Sequence, residues 1–373
     1  MTILIWIAVL AVIVLLVALF LKISPVFGGK PGEQTLARMK KSPHYEKGKF
    51  VNTLPSSMSM SLRENLELLM EFARGNKGAK PAKALAVEPI SPQSLRENAR
   101  QAGGKAKITW FGHSALLLEL DGKKLLLDPM LGRAPSPVPW IGGKRFSSAL
   151  PIEIEELPAI DAVLLSHDHY DHLDYGSIKR LKDKVGRFFV PLGVAAHLER
   201  WGVAPDRIEE FNWWEEVVWE GIRMACTPAR HFSGRGMTGR NGTLWCSWVL
   251  HGKAARIFFS GDSGYGPHFR QIGEQYGPFD LTLMECGQYD PRWAAIHMMP
   301  EESVQAHLDV KGELMIPIHW GAFRLAMHDW SDPVERAVKK ARELRAKIAT
   351  PRIGEPVRIG TETYPTAEWW RLS

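Results

Sequence analysis

The strand-like run Asp161-Ala162-Val163-Leu164-Leu165 leads straight into Ser166-His167-Asp168-His169-Tyr170-Asp171-His172. Packing does not explain three imidazoles and two carboxylates within six positions. Groups this close repel, stay solvated or share a cation. Neutral imidazole nitrogen and carboxylate oxygen are ligands of zinc and neighbouring first-row metals. His167 and His169, in His-x-His spacing, can turn the same way and chelate one metal. Asp171 and His172 then turn toward a second. The competing readings are a solvated His-rich loop and a chance cluster.

The motif resembles the H-x-H-x-D-H signature of the metallo-β-lactamase superfamily. Other members of that ligand set stand just beyond apolar runs: His231 after Cys226-Thr227-Pro228-Ala229-Arg230, Asp262 after Ser260-Gly261, and His319 after Ile316-Pro317-Ile318. A strand end can hold a ligand rigidly. Within the superfamily, the flanks resemble the N-acyl-phosphatidylethanolamine-hydrolysing phospholipase D family. The stretches that carry this are TWFGHSALLL, LLDPML, LLSHDHYDHLD, TPARHFSGRG, FFSGDSGYGP, YDPRW, MPEESVQAH and IHWGAF, spread from Lys107 to Trp330. Two features depart from that family: an N-terminal apolar span, and AAIHMM, with Ile296 before His297, in the acyl-chain region.

The resemblance implies a fold, a cofactor and an activity. The fold is an αβ/βα sandwich of two mixed sheets flanked by helices. The cofactor is two Zn2+, with other divalent first-row metals as alternatives. His167, His169 and His231 would hold one ion, Asp171, His172 and His319 the other, and Asp262 would bridge them. Two such ions about 3.5–4 Å apart clamp a bridging hydroxide and neutralise charge on a phosphodiester. The implied reaction turns N-acyl-phosphatidylethanolamine into N-acylethanolamine and phosphatidic acid. Asp171 and Asp262 would serve that chemistry. His297 is the candidate for substrate contact or proton delivery. His113 and Asp128 would support ligands from behind, as metal sites require. Arg292 and Trp293 would face the lipid headgroup. No G-x-S-x-G elbow is present around Ser114.

The elements that must position these residues are readable from hydropathy. The 373-residue chain has an ordinary globular composition, 45% hydrophobic and 24% charged, which excludes wholesale disorder. Cys226, Cys246 and Cys286 form neither a disulfide framework nor a C-x-x-C site. Ile3–Leu21 is unbroken apolar sequence. As a helix, such a run rises about 28 Å, close to the thickness of a bilayer's hydrocarbon core. It has no basic n-region and no small-residue cleavage site, which favours an anchor over a signal peptide. Residues 22–52 carry five of the six net positive charges. By the positive-inside rule the bulk of the chain is then cytoplasmic on a single-pass anchor. The main domain is nearly neutral, which disfavours a nucleic-acid partner.

Four regions follow. Residues 1–21 are the anchor. Residues 22–105 are a basic juxtamembrane extension, expected to hug the membrane, then a linker. Ser61-x-x-Glu64 opens a helix near 61–74 whose apolar stripe of Leu62, Leu66, Leu69, Met70 and Phe72 is expected to pack on the domain, with dipping into the membrane interface as the alternative, and a short helix is expected at 94–100. Residues 106–365 are the hydrolase domain, entered through a hairpin at Asp121-Gly122. Residues 366–373 are a tail. Trp213, Trp214, Trp219, Trp369 and Trp370 are suited to interfacial seating. The expected partners are a membrane phospholipid and the bilayer, with a homodimer left open. The competing functions are a soluble phosphosugar lactonase-like hydrolase, a nuclease and a non-catalytic scaffold.

Overall fold

The computed structural model describes residues 2–56, 61–95, 105–138, 140, 143–236 and 238–372. The chain opens with α1 (Thr2–Ile23), whose segment Leu4–Ile23 is long and apolar enough to cross a membrane and buries no residue. Next come α2 (Glu33–Lys41), the ribbon β1 (Tyr45–Glu46) and β2 (Lys49–Phe50), and α3 (Leu62–Arg74). The extension does not lie apart as a membrane-hugging segment. Met39 and Phe50 are buried in the main core, and Arg38 donates to the Glu210 carbonyl and the Glu215 carboxylate. A strap containing two buried hydrophobic anchors packs on protein more favourably than it lies along headgroups.

The first sheet holds β3 (Ala106–Trp110), β4 (Leu116–Leu120), β5 (Lys123–Leu127), β6 (Ile160–Leu164), β7 (Val185–Pro191) and β8 (Ile208–Phe211). Helices α4 (Tyr175–Leu181) and α5 (Ala195–Arg200) lie between its later strands. The second sheet holds β9 (Glu216–Trp219), β10 (Ile222–Thr227), β11 (Ser247–His251), β12 (Arg256–Phe259), β13 (Phe279–Glu285) and β14 (Gly312–Ile318). Helix α6 (His268–Tyr276) follows β12, α7 (Pro300–Asp309) follows β13, and α8 (Asp332–Leu344) follows β14. Strand β15 (Lys347–Ile348) ends the second sheet, and β16 (Pro356–Ile359) returns to the first.

The sheet orders are β16-β3-β4-β5-β6-β7-β8 and β15-β14-β13-β12-β11-β10-β9. Each sheet is antiparallel in one half and parallel in the other. The β4–β5 turn has positive φ at Asp121 and Gly122, 52° and 82°, the backbone of the two-residue hairpin its sequence announces. Residues alternate between two burials. Leu116, Leu118 and Leu120 face Trp248, Ile257 and Leu281 in the core between the sheets, while Leu117, Val163 and Phe188 face the outer helices. Covering both faces of both sheets gives the four-layer αβ/βα sandwich.

Helix α6 buries one face, Phe269, Ile272, Gly273 and Tyr276, at helical spacing. That glycine is required by packing. A Cβ there would lie 2.2 Å from the Asp309 carbonyl oxygen at the end of α7.

Two expectations about the edges fail. Residues 366–372 are not a free tail, because Trp369 and Trp370 are buried against Trp320. Trp213 is buried as well, so these three indoles belong to the core rather than to an interface, and Trp214 and Trp219 pack partly buried against it. Their indole area is better buried in protein than left at a surface. The helix expected at 94–100 falls largely outside the described residues.

Burial also sets a pH response. His307 on α7 packs inside with its Nδ1 2.7 Å from Thr282 Oγ1, and burial draws its pKa from 6.5 down to about 4. The unfolded chain therefore takes up this proton before the folded chain does. The stabilisation is whole above pH 6.5 and is lost as pH falls from 6.5 toward 4. Urea midpoints of the full chain in detergent should fall across that window. His307→Asn should show a shallower fall, and an unchanged slope would count against this assignment.

Candidate metal centre

Every site residue read from the sequence, apart from His297 and the Arg292–Trp293 pair, stands at a strand end. His113 follows β3, Asp128 follows β5, and His167 to His172 follow β6, all in the first sheet. His231 follows β10, Asp262 follows β12 and His319 follows β14, in the second. The strands end at one edge of the sandwich, so the two sheets supply donors from opposite sides. Two backbone bonds close the seam: His113 N donates to Trp320 O and His319 N to His113 O, both at 2.9 Å. His113, Asp128 and His319 all have positive φ (56°, 38° and 66°), the strained backbone that clusters at functional sites.

The structure brings the seven named donors together. His167, His169, His231 and Asp262 form one group with donor atoms within 4.8 Å of one another. Asp171, His172 and His319 form a second, and His113 joins them. Asp262 lies between the groups. Its Oδ2 is 3.1 Å from His172 Nε2 and 3.7 Å from both His167 Nε2 and His231 Nε2, while its Oδ1 is 3.1 Å from His319 Nδ1. His113 sits closer than expected. It is not behind the donors but among them, with its Nε2 2.8 Å from Asp171 Oδ2.

Oriented partners fix these rings from behind. Asp128, fully buried, accepts from the Ser166 amide (2.7 Å) and hydroxyl (2.5 Å), and its Oδ2 is 2.7 Å from His172 Nδ1. Ser166 Oγ also meets His167 Nδ1 at 2.8 Å, and His231 Nδ1 meets the Ile296 carbonyl at 2.9 Å. Such contacts select the tautomer and leave the opposite nitrogen for a metal.

The electrostatics suit cations. Burial drives His167, His231 and His319 well below their ordinary range, and their mutual crowding adds to it. Burial draws His113 and His169 down to about 4. Neutral imidazole is the form that offers a lone pair. Burial opposes charge on His172, yet Asp262, Asp171 and Asp128 together raise it well above its ordinary range. Burial also opposes charge on Asp171, but His172 and His113 hold it well below the usual carboxylate range. Among the described residues, four buried atoms of this cluster make no hydrogen bond: His113 Nδ1, His172 Nε2, His319 Nε2 and Asp262 Oδ1. Such orphans are costly unless a ligand takes them. The donor set, its neutral rings and these unused lone pairs fit metal ions.

Above the donors opens a cavity of about 350 Å³, lined mainly by apolar groups. His297, Arg292 and Trp293 are all on its wall. Arg292 is not a free anion binder, because Asp290 and Glu71 take its guanidinium at 2.7 and 2.9 Å. His297 Nδ1 meets the buried Glu285 carboxyl at 2.9 Å. Burial lowers His297 and raises Glu285 well above its ordinary range, so burial shifts both partners toward their neutral forms.

Sequence reasoning missed Glu285, although a carboxylate in the apolar run Leu281-Thr282-Leu283-Met284-Glu285 is a signal of its own. It also missed Leu68 and Phe72 of α3, which line the cavity. Helix α3 begins at the expected capping box, with Ser61 and Glu64 exchanging bonds, but it buries no residue. Leu62, Leu66, Leu69 and Met70 are exposed, contrary to the packed stripe expected of it. The helix is held instead by the Arg292–Glu71 ion pair and by Arg324 over the Phe72 ring.

Comparison with known proteins agrees with this geometry. A family model described as a beta-lactamase superfamily domain matches residues 123–320. An uncharacterized protein of Mycobacterium tuberculosis is 42% identical over 354 residues, 94% of this chain and 93% of that one. The N-acyl-phosphatidylethanolamine-hydrolyzing phospholipase D 1 of Caenorhabditis elegans is 37% identical over 234 residues, 60% of this chain and 65% of that protein. Igni18, a metallo hydrolase of the archaeon Ignicoccus hospitalis, shares the fold. Its TM-score is 0.51 at 23% identity, over 69% of this chain and 99% of that one.

Proposed function

We propose, on the premise that this chain belongs to the metallo-β-lactamase superfamily and is a metal-dependent hydrolase, that its substrate is a membrane phospholipid phosphodiester, most specifically N-acyl-phosphatidylethanolamine. One observation carries the lipid reading. The donor cluster forms the floor of an apolar cavity whose wall includes α3, and α3 turns a row of leucines outward. An apolar cavity over a polar floor suits a phosphodiester with acyl chains better than a sugar phosphate. Exposed Leu62, Leu66 and Leu69 suit a bilayer surface. The apolar helix α1, leading into a basic stretch, would keep the domain at that surface, on the cytoplasmic side by the positive-inside rule.

His167, His169 and His231 would hold one divalent cation and Asp171, His172 and His319 a second, with Asp262 shared and zinc the first choice for this donor set. When bound, such ions supply Lewis-acid activation of water and neutralise charge on the phosphodiester. In the net reaction a water oxygen bonds to phosphorus, and the bond to the N-acylethanolamine oxygen breaks. That oxygen leaves with a proton. His297, oriented by Glu285 through Nδ1, keeps Nε2 available to deliver it. Trp293, Phe232 and Ile296 line the cavity and exclude water around the acyl portion.

The test is direct. Zinc-loaded full-length protein in vesicles containing N-acyl-phosphatidylethanolamine should yield phosphatidic acid and N-acylethanolamine. No lipid product, with a soluble phosphodiester still cleaved, would sink the lipid reading. The double variant Leu66→Glu, Leu69→Glu should slow turnover of the vesicle substrate about tenfold and spare a short-chain soluble one, since each buried leucine at an interface contributes about 1.5–3 kcal/mol at most.

A further inference from the structure

The strap between α1 and α3 reaches the donor cluster from outside the matched family segment. Asn52 lies just after β2, and its side chain closes on the backbone of His231, 179 residues away. Asn52 Nδ2 donates to the His231 carbonyl at 2.7 Å, and the His231 amide donates back to Asn52 Oδ1 at 3.2 Å. The indole N–H of Trp245 donates to the same Oδ1 at 3.0 Å. The amide is thus used at both ends, and flipping it would set its NH2 against two N–H donors. The strap is itself fixed on either side. Phe50 is fully buried and exchanges bonds with Asn241, at 2.8 and 3.2 Å, on the same loop as His231.

His231 depends on this hold. It stands beyond the end of β10, where the ladder to β11 stops at Thr227–Ser247. No strand neighbour brackets its peptide groups. Its ring is placed by the Ile296 carbonyl; the preceding Arg230 carbonyl accepts from the Gly264 amide at 2.8 Å, and Asn52 holds both the N–H and the carbonyl of His231 itself. A ligand must be held within about 0.5 Å to bind well, and groups that do so act through the ligand.

We infer that Asn52 is a positioning residue for the His231 ligand: the strap that joins the apolar N-terminal helix to the domain completes the metal centre by clamping the His231 backbone. The strap is then part of the site, and the hydrolase domain cut free of it would bind metal poorly.

The experiment measures metal affinity of the full chain by chelator competition, together with the visible absorption of the cobalt(II)-substituted protein. Asn52→Ala should weaken metal binding about 10–100-fold, the range for a lost orienting partner, and shift the cobalt spectrum. Asn52→Asp keeps the acceptor for the His231 and Trp245 N–H groups but loses the donor to the His231 carbonyl, so it should fall between Asn52→Ala and wild type. Ser42→Ala removes a strap contact to Asn212 that touches no metal donor and should leave both readouts unchanged. Wild-type affinity and spectrum in Asn52→Asp would overturn the inference, as would an equal loss in Ser42→Ala. If Asn52→Ala fails to fold, Asn52→Asp decides alone.

Discussion

Replacing Asp262 with Asn should reduce turnover by about three orders of magnitude, with the fold intact. The carboxylate reaches both groups, with Oδ2 toward His172, His167 and His231 and Oδ1 toward His319. Burial pushes its carboxyl up to about 6, so a negative charge is held here at a cost that only neighbouring positive charge offsets. Asparagine keeps the shape and removes the charge. It also puts an NH2, which has no lone pair to offer a metal, where a carboxylate oxygen stood. Losing a metal's charge stabilisation costs several kcal/mol of barrier, and about 4 kcal/mol is about a thousandfold. Initial rates on any cleaved phosphodiester, with metal content measured on the same sample, check this. A variant within tenfold of wild type and equally loaded would remove Asp262 from its shared position.

The second large effect is on stability. Trp370→Ala should destabilise the chain by about 3–5 kcal/mol, the usual cost of emptying a buried indole site. Trp370 is 2% exposed, meets Trp320 edge-on at 5.8 Å and donates its N–H to Glu335 at 2.7 Å. Truncation therefore leaves a void and removes one of the bonds to Glu335, whose carboxylate keeps Arg371. Trp320 follows His319 directly, and Trp110 packs on its other side at 5.2 Å. Loosening this aromatic stack should therefore also weaken metal binding, by less than Asn52→Ala does. Urea denaturation of the full chain measures the first effect and chelator competition the second. A midpoint unchanged from wild type would mean the C-terminal turn is peripheral after all.

Much of the centre could be read before any coordinates. Coordination chemistry admits few donor types, and a ligand needs a rigid base. His167 through His172 stand out by residue type after an apolar strand, and the resemblance that motif carries implies His231, Asp262 and His319, each also beyond an apolar strand. The same local logic found the Asp121–Gly122 hairpin, the Ser61 capping box and the apolar N-terminal helix. Each is a signal carried within a few residues.

What escaped the sequence shares one property: the partner is far along the chain and leaves no periodic trace. Asn52 is an ordinary polar residue until β2 docks on the His231 loop. Glu285 orients His297 only because β13 and the turn after it fold over one another. The leucines of α3 look like a packing stripe, yet the tertiary structure leaves most of them in the open and sends only Leu68 and Phe72 toward the cavity. Trp369 and Trp370 lie four residues or fewer from the C-terminus, where little predicts burial, and the core claims them because Trp320 and Trp330 need covering. The sequence by itself pointed to the candidate donors, through the chemistry of the His167–His172 motif and the family resemblance it carries. Only the tertiary structure decided how the site is braced and what encloses it, because those contacts join distant segments through geometry that hydropathy does not encode.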